Sequence, residues 1–137
     1  MNAVVLDTSA LIRLYVPDGP LPEDLENCIA SAWCSETILI IPELAFAELT
    51  QVLWKKEKAG FLEPFEVDEI LSSILELPLE VDGHYAILPD ALKIARQYNI
   101  TVYDAIFLAV AKKRNAKLIT ADQKLAKVLL MFRKIEN

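Results

Sequence analysis

Two stretches of the chain share one pattern: an apolar run, an aspartate, then a helix. Ala3–Leu6 is continuously apolar and stops at Asp7, and the segment from Ser9 to Tyr15 follows with Leu11, Ile12 and Tyr15 on one side. Near the other end, Lys117–Thr120 reads as a short buried strand, and a helix runs from Asp122 to Leu130. Before that strand, Ile106, Phe107, Val110 and Ala111 recur at helical spacing between Tyr103 and Arg114, with Asp104 near the start. Asn115 and the basic run before it are a stop signal.

The intervening pattern alternates the same two kinds of element. Pro17, Gly19, Pro20 and Pro22 predict a loop. Glu23–Trp33 predicts a helix with acids in its first turn, where the dipole favours them. Thr37–Ile41 is β-branched and predicts a strand. Pro42 then opens a helix to Ala59, with Gly60 as its stop. Pro64–Leu75 predicts an amphipathic helix, Leu77–Val81 a weak strand, Pro89–Tyr98 a helix ending at Asn99, and Met131–Ile135 a closing strand. There is no solenoid repeat and no low-complexity segment. The expectation is a single α/β domain over residues 1–137: a three-layer α/β/α sandwich on a mainly parallel central sheet. Parallel strands present their carboxyl ends at one edge, where ligands bind. Asp7, Asp104 and Asp122 are thereby expected to converge.

Composition narrows the class. A 137-residue chain with 54% hydrophobic residues and only three Gly predicts a compact, helix-rich domain. No apolar run reaches membrane-span length, and Asp7 interrupts an N-terminus without basic residues, so neither a membrane segment nor a signal peptide is expected. A cytoplasmic protein follows as the default. Cys28 and Cys34 match no zinc spacing and are expected to be plain buried or half-buried thiols. The net charge of −6 argues against non-specific coating of nucleic acid. Its distribution is uneven: residues 1–90 hold 17 acids and four bases, residues 91–137 ten bases and three acids. Two of those three acids are Asp104 and Asp122.

A fourth acid joins them. Glu48 has Leu44, Ala45, Gln51 and Val52 as helical neighbours, an apolar face on which a lone carboxylate is costly. Glu43 falls in the first turn of that helix, and the dipole accounts for it. Each acid alone has a bland explanation: Asp7, Asp104 and Asp122 as helix N-caps, Glu48 as a solvent or lysine contact. Together, they would repel one another unless a divalent cation joined them. Carboxylates without His or Cys suit Mg²⁺, with Mn²⁺ as substitute. Such ions serve phosphoryl chemistry by activating water and stabilising a leaving oxygen. Lys112, Lys113 and Arg114 are candidate phosphate contacts, or only favourable charges at a helix end. His84 reads as a loop residue, and Trp33 and Trp54 as core or interface.

Three segments in order, together with the spacing of the acids, resemble the PIN-domain nucleases, most of all the VapC-type toxins of toxin–antitoxin pairs. The segments are Val5–Ile12 (VLDTSALI), Pro42–Leu49 (PELAFAEL) and Thr101–Asp122 (TVYDAIFLAVAKKRNAKLITAD). The resemblance implies a metal-dependent endoribonuclease, a homodimer held inactive by a cognate antitoxin. It implies Asp7, Glu48, Asp104 and Asp122 as catalytic, metal-binding acids. Thr8, Ser9 and Thr120 match positions where the family often has hydroxyls near the site. Alternatives of other classes are a non-catalytic PIN-fold binding or regulatory module and a metal-dependent phosphoesterase on a small substrate. Glu63–Leu88 carries no family signature, and Gln123-Lys124-Leu125 lacks a further acid sometimes present there.

Overall fold

The computed structural model describes residues 2–136, with side chains through Arg133. Four strands form one sheet: β1 (Asn2–Leu6), β2 (Thr37–Pro42), β3 (Leu79–Asp82) and β4 (Lys117–Ile119), in the order β3-β2-β1-β4. All three pairings are parallel, and Val5 stands between Ile40 and Leu118 in the register. The central strands bury consecutive residues, Val4-Val5-Leu6 and Leu39-Ile40-Ile41. That is the mark of a sheet covered on both faces, and explains why both runs are continuous in sequence and not alternating.

Seven helices supply the cover: α1 (Thr8–Tyr15), α2 (Leu25–Trp33), α3 (Leu44–Lys58), α4 (Pro64–Leu75), α5 (Leu88–Tyr98), α6 (Val102–Lys113) and α7 (Gln123–Glu136). The α6 helix lies across β1, β2 and β4 and pairs with α5, while α1 packs on α3 and α3 on α4. The expected three-layer α/β/α sandwich is therefore what forms. Residues 105–111 of α6 are all buried, so this helix is apolar all round, as a central helix must be.

Three expectations need correction. Met131–Ile135 is not a strand but the end of α7. Leu125, Val128 and Phe132 are buried at helical spacing, and Phe132 meets Tyr98 edge to face at 6.0 Å. Pro42 does not open α3; it closes β2, paired with Asp82, and the Glu43 N–H donates to the Asp82 carbonyl at 2.8 Å. The neighbouring strand thus holds Pro42 in the sheet, and the chain turns helical at Glu43. Cys34 is exposed, whereas Cys28 is half-buried. Trp33 and Trp54 are exposed as well, which removes them from the core. No described helix is long and apolar enough to cross a membrane.

Candidate active site

In the order β3-β2-β1-β4 the chain direction of travel reverses beside β1, leaving a crevice between β1 and β4 at their carboxyl ends. Asp7 follows β1 directly and Thr120 follows β4 directly. The Asp7 N–H donates to the Ile119 carbonyl at 3.3 Å, which ties the two strand ends together. The Thr120 hydroxyl bonds the second Asp7 oxygen across the crevice. The first oxygen accepts from the Ser9 hydroxyl and from the Ala10 N–H, each at 2.8 Å. Ser9 also accepts from the Ala121 N–H at 2.9 Å. Asp7 is thus both the N-cap of α1 and the centre of a hydroxyl network.

The other acids come from three further elements. Glu48, on α3, accepts from the Thr8 hydroxyl at 3.0 Å. Asp104 lies in the first turn of α6 but does not cap it; Thr101 does, accepting from the Asp104 N–H at 3.1 Å. The Asp104 carboxylate is therefore not the cap of its helix. Asp122 does cap a helix, accepting from the Lys124 and Leu125 N–H groups at 2.8 and 3.2 Å. All four acids line one cleft of about 270 Å³ together with Thr8 and Ser9.

Their electrostatics reflect that gathering. Asp7 is 4% exposed, and burial above all pushes its pKa up to about 6, against the bonds from Thr120, Ala10 and Ser9; the Asp122 charge adds to the rise. Burial raises Glu48 despite Thr8, and the charge of Asp104 raises it further. Burial and then the charge of Asp122 raise Asp104. Each raised acid therefore has another acid of the cleft among its causes, as crowded carboxylates should.

A larger cleft of about 760 Å³ opens at the opposite, amino-terminal edge, between Asn2, Asp24, Thr37 and Lys117. Its charges are already matched, Lys117 to Asp24 at 3.0 Å and Arg114 to Asp82 and Glu80 outside it. It holds no cluster of acids. Chemistry, not volume, selects the smaller cleft.

Comparison with known proteins identifies the family. The model of the PIN domain matches residues 4–129. The chain belongs to the PIN-domain family. Within it, the chain is 34% identical over 125 residues to Ribonuclease VapC3 of Pyrobaculum aerophilum, covering 90% of this chain and 92% of that protein. It is 27% identical over 125 residues to Ribonuclease VapC3 of Mycobacterium tuberculosis, covering 90% and 85%. Among solved structures, PAE2754 of Pyrobaculum aerophilum superposes with a TM-score of 0.72 at 24% identity, over 93% of this chain and 79% of that one. VapC20 of Mycobacterium tuberculosis, a toxin cleaving the Sarcin-Ricin loop, does so with 0.62 at 13%, over 90% and 93%. These two likenesses concern the fold. The PIN domain here is of the VapC type.

Not every residue singled out in the sequence reaches the PIN-domain cleft. Thr8 and Ser9 line it and bond Glu48 and Asp7, while Thr120 bonds Asp7 without lining the cleft itself. Lys112 and Lys113 do not reach it: they end α6, about 12–14 Å along the helix from Asp104. Arg114 is occupied by Asp82 at 2.7 Å and by Glu80. The cations that do line the cleft are Arg13 and Lys56. Lys124 adds a favourable charge near Asp104.

The donor set of the cleft suits a hard cation, having carboxylates and hydroxyls and no His or Cys. Among the described residues, no three His, Cys, Asp or Glu side chains stand where they could hold a metal by direct contact. Asp7, Glu48 and Asp122 are each already engaged by hydroxyl or backbone donors. Mg²⁺ tolerates this, because it keeps several waters and takes only one or two protein carboxylates directly.

Proposed function

We propose that this PIN-domain protein is a Mg²⁺-dependent endoribonuclease, with Mn²⁺ able to substitute, and the toxin of a toxin–antitoxin pair. The observation that carries the reading is the convergence of Asp7, Glu48, Asp104 and Asp122, from four separate elements, on one cleft at the carboxyl edge of the sheet. The family and the relatives named Ribonuclease VapC3 support RNA as the substrate.

The roles divide by environment. Asp7 is fixed at both oxygens by Ser9, Ala10 and Thr120, so it presents a preset orientation to an ion. Thr8 holds Glu48 in the same way from the next residue. Asp104 is half-buried and Asp122 exposed, so Asp122 is the acid most open to an entering hydrated ion and phosphate. A bound Mg²⁺ supplies an activated water and neutralises charge on the phosphodiester oxygens. The chain's own part is to hold four acids near one another against their repulsion, and folding supplies that through α1, α3, α6 and the β4–α7 junction. In the cell the reading includes a homodimer, an antitoxin protein covering the site, and a cytoplasmic location.

The test uses the purified protein with end-labelled RNA and, separately, a mononucleotide ester. Internal cleavage of RNA in Mg²⁺, abolished by chelator, is the expected result. Cleavage of the ester alone identifies a small-substrate phosphoesterase. RNA bound but intact under both conditions identifies a non-catalytic module, and either outcome overturns the proposal.

A further inference from the structure

The acid cleft has a second end. On α3, Glu48, Val52 and Lys56 follow at i, i+4 and i+8 and all line the cleft. On α1, Ser9, Ile12 and Arg13 do the same within one turn. Both helices therefore run from the acids, over an apolar floor, to a cation. Lys56 lies about 12 Å along the helix axis from Glu48. A stacked single strand advances about 3.4 Å per phosphate. Lys56 is too far out along its helix to serve a phosphate held at the acids and is placed for one further along the strand, while Arg13, one turn beyond Ser9, lines the way between them.

What those cations do now is informative. Lys56 pairs with Asp18 at 2.6 Å, both side chains partly exposed at 21% and 50%. Arg13 donates to the Pro20 carbonyl at 2.9 Å and, among the described residues, forms no ion pair. A Cβ on Gly19 would stand 2.6 Å from an Arg13 guanidinium nitrogen, so this loop lies flat on the guanidinium. Asp18 itself lines the cleft. Its segment, Pro17-Asp18-Gly19-Pro20, is stiffened by a proline on either side.

We propose that Arg13 and Lys56 form a phosphate clamp for the RNA strand beyond the scissile bond, and that Asp18 occupies it as a resident anion in the free protein. This rests on the nuclease reading above. Substrate entry exchanges one anion for another on Lys56. An exposed ion pair is weak enough to exchange, being worth about fivefold or less in an equilibrium. Arg13, fixed by Pro20 and with four N–H groups to spare, contributes preset geometry.

Steady-state cleavage of a single-stranded RNA octamer in Mg²⁺ tests this with Lys56→Gln and Asp18→Asn. Lys56→Gln is expected to raise KM about fivefold, with the loss in KM and not in kcat. Its log–log salt dependence should flatten by about 0.7, the share of one phosphate contact on a single strand. Asp18→Asn is expected to act in the opposite direction, lowering KM about two- to fivefold, because the competing anion is gone. A merely structural pair would give both variants the same lower melting temperature and move neither KM nor the salt slope in opposite senses. Should the parent cleave the octamer while both variants keep its KM and salt slope, the clamp is wrong and the nuclease reading stands. Should the parent cleave no RNA, the nuclease reading fails and the clamp with it.

Discussion

Asp7 performs two tasks at the scale of a single residue, and they conflict. As the N-cap of α1 it is stabilising; as a carboxylate that is 4% exposed it is costly when charged. Its folded pKa of about 6 lies above the ordinary aspartate value of 3.8, so the native state holds the proton more tightly than the unfolded chain. Stability from this group is therefore complete below about pH 4 and is lost as pH rises through about 6. The difference amounts to about 3 kcal/mol. Glu48 and Asp104 shift the same way. Urea unfolding in chelator should show greater stability at pH 5 than at pH 7, and Mg²⁺ should erase that trend by binding the native state. A flat profile would remove the crowding. Substitution separates the two tasks. Asp122→Asn keeps the cap, since asparagine caps as well as aspartate. It should leave the melting temperature nearly unchanged and lower RNA cleavage by at least about 100-fold, as loss of a metal-ion effect does. Glu43→Gln, at the exposed start of α3, should leave both unchanged.

At the scale of the element, the site depends on where helices begin and what they bury. Thr101 is the N-cap that fixes the first turn of α6, and with it Asp104. Thr101→Ala should cost about 1 kcal/mol, and Thr101→Ser should restore most of it in thermal unfolding. The α3 helix carries Glu48 on one side and buries Ala45, Leu49 and Leu53 on another. Leu49→Ala should destabilise by about 2–5 kcal/mol, measured by urea denaturation. These elements were largely legible in the sequence because their periodicity is strong. A continuous apolar run marked β1, a β-branched run marked β2, and helical spacing marked α6. The misreadings sit where tertiary contact overrides local signal. Pro42 carries a helix-start signal, yet the pairing of Pro42 with Asp82 keeps it in the strand. Met131–Ile135 has strand-like residues, yet the burial of Phe132 against Tyr98 continues α7.

The whole molecule is a parallel sheet whose switch point collects acids from distant parts of the chain. Asp7 and Asp122 were legible because each follows a strand end, Asp104 because it stands in the first turn of a strongly periodic helix, and Glu48 because it interrupts an apolar face. Arg13 and Lys56 were not, because their relation to the cleft exists only once α1 packs on α3. The basic run 112–114 misled because clustering in sequence is not clustering in space; Arg114 is held by Asp82 and Glu80. The outer surface carries a further expectation. Trp54 is 46% exposed and Phe61 78%, with Phe65 and Leu75 also exposed on α4. Exposed apolar side chains in such number favour a two-fold dimer. Light scattering at micromolar concentration should return twice the chain mass of 15.4 kDa, and a monomer mass would refute it. The central claim is that the four carboxylates act as one metal-dependent site, and Asp104 tests it most cleanly, since Thr101 does the capping beside it. The deciding measurement is the rate of Mg²⁺-dependent RNA cleavage by Asp104→Asn against the parent, at matched melting temperature. The account expects the rate to fall by at least about 100-fold with the fold intact; cleavage at the parental rate would contradict it.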